Sequence, residues 1–433
     1  MELLERYFKL QEHGTNVRTE IMAGVTTFLT MAYIIFVNPS ILADAGMPKG
    51  AVFVATCLIA AIGTAIMALY ANYPIAIAPG MGLNAYFAYV VVGAMGFTWQ
   101  AALGAVFISG CLFLLVTLFR LRELIIAGIP QSLRLGITVG IGLFLALIAL
   151  KSAGIVVASQ ATAVGLGDLH SPAVILAAIG FFLIVVLDRL GVKGAILIGI
   201  LAVTVLSFFF GGNQFAGVFS APPSIAPTFL QLDIKAALSG GLLNVIMVLF
   251  LVELFDATGT LMGVAKRAGL LVENKMERLN KALIADSGAI FAGSLLGTSS
   301  ATAYIESASG VQAGGRTGLV SLTVAVLFLA CLFIAPLAGS VPAYATAPAL
   351  FFVAMLMMRD LTEVDWSETT EVIPATVTAL MMPFTYSIAN GLAFGFITYA
   401  AIKLFTGRVR EVHWMVWLIA IVFLIKFAYF GGH

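Results

Sequence analysis

The stretch Ala301-Thr-Ala-Tyr-Ile-Glu306-Ser-Ala-Ser-Gly-Val-Gln-Ala-Gly-Gly-Arg316 sets one carboxylate in sequence that is otherwise uncharged from Asp286 onward. An ordinary membrane-spanning helix needs about 20 apolar residues, and this segment is too short and too rich in Ser, Thr, Gly and Ala. Small polar residues around one acid point to irregular backbone that lines a cavity rather than facing lipid. The plainer alternative is a helix-end acid at the membrane interface.

Composition supplies the membrane. The chain is 61% apolar and 10% charged, against about 25% charged in soluble domains, so little of it is a soluble domain. No charged residue occurs from Gly50 to Phe119, room for several spans. A net charge of +1 argues against nucleic acid as a partner. Cys57, Cys111 and Cys331 lie in apolar runs and read as buried thiols. His13, His170, His413 and His433 fall in loops or ends, and no metal-ligand or nucleophile constellation appears, so neither cofactor, metal nor enzyme activity is expected.

Apolar runs mark spans at 21–37, 51–70, 100–119, 132–155, 172–188 and 193–210, then at 239–263, 282–297, 318–338, 343–358, 372–387 and 389–406. Two shorter segments, 75–93 and 300–313, complete two sets of seven. Seven is odd, so the second set enters the membrane inverted, the arrangement in which substrate sits at the midplane between discontinuous helices. The expected fold is therefore an all-α integral membrane protein, a seven-plus-seven inverted-repeat transporter with two broken spans. Residues 1–20 form an N-terminal segment, 21–210 and 239–406 the two repeats, and 211–238, with Gly, Pro and Ser, an extracytoplasmic linker. Residues 407–433 are expected to lie at the inner interface, a further span being the alternative.

The distribution of basic residues fits this count. With the N-terminus inside, inner loops carry Arg120, Arg122, Arg134, Arg189, Lys193, Lys266, Arg267, Lys275, Arg278, Lys281, Arg316, Lys403, Arg408 and Arg410. Outer loops carry Lys49 and Lys235 against Asp44, Asp168 and Asp233. Both termini are expected in the cytoplasm, with the protein in the cell (inner) membrane.

The first broken span reads Pro74-Ile-Ala-Ile-Ala-Pro79-Gly80-Met-Gly82-Leu-Asn84-Ala-Tyr86. Alternation before Pro79 indicates a strand, and Gly80 and Gly82 permit a turn into a helix starting near Asn84. Gly297-Thr-Ser-Ser-Ala-Thr302-Ala-Tyr304-Ile-Glu306 repeats the plan in the other half. Two inverted strand-to-half-helix units aim two positive helix ends at one point. A third element is Leu251-Val-Glu253-Leu-Phe-Asp256-Ala-Thr258-Gly-Thr260. Glu253 and Asp256, at i and i+3, are expected on one helix face. Two buried carboxylates require a cavity there, with at least one protonated, as a proton-coupling group demands. Asp286 reads as a supporting group at a helix end. Thr26, Thr27, Phe28 and Thr30 form the first-half counterpart of the Asp256 segment.

Phe255-Asp256-Ala-Thr-Gly-Thr-Leu, Tyr304-Ile-Glu306-Ser, Gly314-Gly-Arg316-Thr-Gly and Pro79-Gly-Met-Gly82-Leu-Asn84-Ala resemble motifs of the nucleobase/ascorbate transporter superfamily. The chain is most similar to its purine permease branch, for adenine, guanine and hypoxanthine, along nearly its whole length. The resemblance implies fourteen segments with core and gate domains, proton symport and, often, a homodimer. It places Asp256 and Glu306 at the family's acidic site positions, Gly82 and Asn84 at polar site positions, and Glu253 at a position that is acidic only in some relatives. Ser307 stands where uracil and xanthine members have Asn, and Gly310 lies one residue late, which argues against those substrates. Leu83-Asn-Ala-Tyr and Gly297-Thr-Ser-Ser are closer to adenine permeases.

The chemistry agrees. Adenine presents an exocyclic amine and a ring N–H; Asp256 and Glu306 accept from such donors, while Asn84 both donates and accepts. Backbone N–H groups near Gly80–Gly82 and Ala303–Glu306, Ile305 among them, suit ring nitrogens, and Phe28, Tyr86 or Tyr304 suit the ring face. Proton uptake at Asp256, Glu253 or Glu306 is expected to couple transport. An anion carrier of the sulfate or bicarbonate type on the same architecture is the alternative, and acids in the site oppose it.

Overall fold

A computed structural model of the chain describes residues 2–119, 121, 125, 128–160, 162–238, 240–267, 269–272 and 275–429. Arg120, Arg122 and His433 lie outside the described residues. The first repeat contains α2 (Val17–Met31), α3 (Ile34–Asp44) and α4 (Lys49–Ile66) after a short α1 (Glu2–Phe8). Then come β1 (Ile77–Pro79), α5 (Met81–Ala85, extended by a π-helix to Ala94), α6 (Trp99–Leu118), α7 (Gln131–Ser152), a hairpin of β2 (Val156–Ser159) and β3 (Ala163–Leu166), α8 (Pro172–Arg189) and α9 (Ala195–Phe210). The second repeat has α10 (Gly240–Arg267), the paired strands β4 (Leu271–Val272) and β5 (Lys275–Met276), α11 (Leu279–Leu296), β6 (Ala301–Ala303) and α12 (Ser307–Gln312). It closes with α13 (Gly318–Ala330), α14 (Ala343–Met358), α15 (Thr369–Phe384), α16 (Ile388–Phe405) and α17 (Trp414–Tyr429).

Each of the fourteen expected crossings coincides with a helical element. Nine spans among the described residues are long and apolar enough for the membrane, and Met81–Ala94 and Ala195–Phe210 are shorter. Helix starts follow local chemistry. Asn16 Oδ1 accepts from Thr19 N at 3.0 Å ahead of α2, and Thr98 and Ser387 hydroxyls accept from Ala101 N and Asn390 N ahead of α6 and α16. Each satisfies an amide that the helix itself leaves unbonded.

The helices sort into a core and a gate, each taking matching crossings from both repeats. In the core, α11 packs on α4 and α6, and α13 on α2 and α4; in the gate, α7 packs on α14 and α15, and α8 on α9 and α14. Residues 211–238 run over one end of the core, with Pro223 against Gly50, Leu230 N donating to Leu295 O and Asp233 N to Gln100 O.

Core helices approach so closely that some positions admit no side chain. A Cβ on Gly318 would sit 2.3 Å from Ala68 O, a backbone atom, while Gly318 N donates to Asn72 Oδ1 at 2.7 Å. Gly318→Ala is expected to destabilise the protein by about 1–3 kcal/mol, seen as a lower Tm of the detergent-purified protein.

The two broken spans meet at the centre. β1 and β6 pair antiparallel, Ile77 with Ala303, Ala78 with Thr302 and Pro79 with Ala301, and all six residues are buried. Gly80 N donates to Ser300 O at 2.8 Å and Tyr304 N to Ala76 O at 2.9 Å, extending the pairing at both ends. Irregular backbone survives at this depth because its polar groups are satisfied within the protein.

One expectation changes. The first half-helix starts at Met81, not near Asn84, because Gly80 is extended (φ −77°, ψ 123°) and its carbonyl accepts from Asn84 N at 2.9 Å. The last segment packs on the bundle: α17 runs back along α16, with the Phe427 ring 5.5 Å from that of Phe394 in α16, and it buries Val416, Ala420 and Phe423.

Candidate functional site

A cavity of about 580 Å³ lies between core and gate at the strand crossing, within the range of small-molecule sites. Its inner wall is built from β6, the start of α5, and α2 and α10; Phe352 and Met357 of α14 and Thr138 of α7 form the gate side. It reaches the connections that carry Asp188–Lys193 and Arg359–Glu363, so it opens on that side of the molecule.

Two acids face it. Glu306 ends the turn between β6 and α12, and its Oε1 accepts from Tyr33 Oη at 2.5 Å. Asp256 projects from α10 and has no hydrogen-bond partner among the described residues. The cavity thus holds one carboxylate fixed by a donor and one left to its contents. Tyr304 also lines it, its hydroxyl donating to Pro79 O at 2.5 Å, which ties the second half-helix unit to the first. Gly82 and Ile305 line the wall as well, Ile305 being 41% exposed. Gly80, Met81 and Gly82 at the start of α5 line it too, and the first amides of a helix have no partner within the helix.

Several expected residues sit elsewhere. Glu253 is fully buried and accepts from Ser109 Oγ of α6 at 2.8 Å. Residues three apart differ by about 60° around a helix, and here that separates an acid facing the cavity from one facing α6. Asn84 is also fully buried behind the crossing: its Nδ2 donates to Asn38 Oδ1 at 2.6 Å, and its Oδ1 accepts from Ser299 Oγ. Asn38 Nδ2 in turn donates to Thr56 and Thr298 Oγ1 at 2.7 and 2.9 Å. Asn84 therefore braces the half-helices. Thr27 packs against Gly310 of α12, and Phe28 stacks edge-on against Phe328 at 5.3 Å, so neither lines the cavity. Tyr86 is 1% exposed in the core. Asp286 accepts from Ala303 N at 3.0 Å, which ties α11 to β6.

Thr30, in the first-span segment singled out above, lines the cavity. Other lining residues escaped the sequence reading: Phe255 and Phe352 from core and gate, Thr302 from β6, and Tyr33 from the first span. Pro39 within α3 was the available signal for Tyr33, because a proline disturbs the helix about a turn before it. The span breaks there, at Ala32–Tyr33. Among the described residues no cluster of His, Cys, Asp or Glu has the arrangement of a metal site.

Comparison with known proteins places this geometry. The family model described as Permease family (Xan_ur_permease) matches residues 18–394. The chain is 54% identical over 434 residues to putative permease MJ0326 of Methanocaldococcus jannaschii, covering 100% of both chains. It is 50% identical to adenine permease AdeP of Escherichia coli K12 (100% of this chain, 97% of the relative) and 48% identical to guanine/hypoxanthine permease PbuO of Bacillus subtilis 168 (97% and 99%). Among solved structures, the transmembrane domain of the cyanobacterial bicarbonate transporter BicA superposes with a TM-score of 0.66 at 17% identity, covering 86% of this chain and 97% of that one. That likeness concerns the fold. The chain belongs to the permease family of nucleobase/ascorbate transporters.

Proposed function

We propose that this chain is a secondary active transporter that imports purine nucleobases, adenine foremost, by proton symport with alternating access. The observation that carries the reading is the cavity at the crossing of two inverted half-helix units, walled by Asp256 and Glu306 and reaching the connections at 188–193 and 359–363. Relatives named for adenine and for guanine/hypoxanthine, each near half identical over nearly the full length, support the substrate class. The ring of a purine fits between Phe255 and Phe352, where aromatic contact is sequence-independent and strong. Its N–H groups then meet the two carboxylates, and a site that pairs such edges rejects ligands lacking them.

The open side carries the connections read as cytoplasmic, so the cavity faces inward. Movement of the core against the gate would expose it to the other side. A carboxylate crossing that low-dielectric passage unpaired costs several kcal/mol, and protonation removes the cost. Asp256 is the acid placed to take the proton, since Glu306 is already engaged by Tyr33. Glu253, bonded to Ser109, serves the packing of α10 on α6. The bicarbonate-type reading is disfavoured because two acids in the cavity repel an anion.

The test is uptake of radiolabelled adenine by cells expressing the protein, with guanine, hypoxanthine and uracil as competitors. Saturable uptake that collapses with a protonophore and ignores uracil is expected. Absence of nucleobase uptake by well-folded protein would overturn the reading.

A further inference from the structure

We infer that Tyr33 sets the polarity of the site and selects purines that carry a 6-amino group over those that carry a 6-oxo group; this rests on the transport reading above. Tyr33 lies sixteen residues into the 28-residue span Val17–Asp44, and Asp256 lies sixteen residues into the 28-residue α10, the first span of the other repeat. The inverted repeat therefore puts the two at equivalent positions, and both line one cavity. Thr27 and Phe28, the residues first assigned to that position, lie too early in the span and pack away from it.

A phenol has one donor and two acceptor lone pairs. Tyr33 spends its donor on Glu306 Oε1 at 2.5 Å. What remains for a ligand is acceptors: the second oxygen of Glu306 and the Asp256 carboxylate, both residues lining the cavity, while Tyr33 itself is only 1% exposed. Two acceptors fit a ligand edge of N–H groups, as the 6-amino group beside N7–H in the 7H tautomer of adenine provides. A carbonyl in place of the amine would face acceptors with no proton between, and an unpaired buried polar group is heavily penalised. Thr302 of β6 also lines the cavity, but it is only 4% exposed and its hydroxyl is buried, with no hydrogen-bond partner among the described residues. The accessible polar groups of the crossing are thus carboxylate acceptors.

Tyr33 also acts through Glu306. Without the phenol O–H, the carboxylate is free to turn, and the fixed orientation of its second oxygen is lost. Tyr33 is in this sense a positioning residue as well as a lining one.

The test is equilibrium binding of radiolabelled adenine and hypoxanthine to the purified full-length protein and to Tyr33→Phe, which keeps the ring and removes the hydroxyl. Tyr33→Phe is expected to weaken adenine binding about tenfold, as for loss of one charge-assisted hydrogen bond, and to change hypoxanthine binding by less than about twofold, so that selectivity collapses. In a Glu306→Gln background the same substitution is expected to leave the adenine-to-hypoxanthine ratio unmoved, since residues that act as one unit are non-additive. An unchanged ratio in Tyr33→Phe, or equal weakening of both ligands, would overturn the inference while leaving purine transport standing. A wild-type protein that binds neither purine would overturn both. The Tm of each variant identifies a fold defect, which would weaken both ligands alike.

Discussion

Asp256→Asn is expected to bind adenine and fail to concentrate it. The amide keeps the size of the carboxylate and one acceptor oxygen, so affinity should fall by no more than about tenfold, the equivalent of one hydrogen bond. What it loses is the exchange of a proton with the cavity. Among the described residues Asp256 has no hydrogen-bond donor fixed on it, so under the proposed mechanism its charge state follows what enters the cavity. With Asn the core returns equally well with or without a proton, and uptake becomes equilibrative. In proteoliposomes the accumulation ratio under an imposed proton gradient should fall to about one. Uphill accumulation retained by Asp256→Asn would remove Asp256 from the coupling step and return attention to Glu306.

The second large effect belongs to Glu306→Gln. Glu306 accepts from Tyr33 Oη at 2.5 Å, and in the proposed mechanism its other oxygen accepts from the ligand. A glutamine cannot accept at both ends, so either Tyr33 or the purine loses its partner. Hydrogen bonds to a charged group contribute about 1.5–3 kcal/mol, which corresponds to a loss of adenine affinity of about 10- to 150-fold. Binding isotherms at fixed pH measure this directly. A change under threefold would show that the carboxylate faces Tyr33 alone.

The course of the chain through the membrane was legible from its apolar runs because a span has no other way to satisfy its backbone than to be a long helix. The strand crossing was legible too: alternation before Pro79 and the Gly-Thr-Ser-Ser run at 297–300 disclosed two breaks at matching positions of two repeats. What could not be read was direction around a helix. Glu253 and Asp256 are three residues apart, and only the position of Ser109 on a distant helix decides which of them meets α6 and which meets the cavity. Asn84 looks like a ligand-binding amide in sequence. Its four-membered partnership with Asn38, Ser299 and, beyond them, Thr56 and Thr298 is assembled from both repeats. Tyr33 was hidden for another reason. A tyrosine in an apolar span usually packs, and the break beside it shows only as Pro39 six residues later.

The central claim is that a purine and a proton cross together through the cavity between Asp256 and Glu306. The most direct test places the purified wild-type protein in liposomes with a pH-sensitive dye trapped inside and adds adenine outside, with no other gradient present. Internal acidification that depends on adenine, saturates with it and vanishes in Asp256→Asn is the predicted result. Adenine entry at the same rate with no change in internal pH would contradict the account.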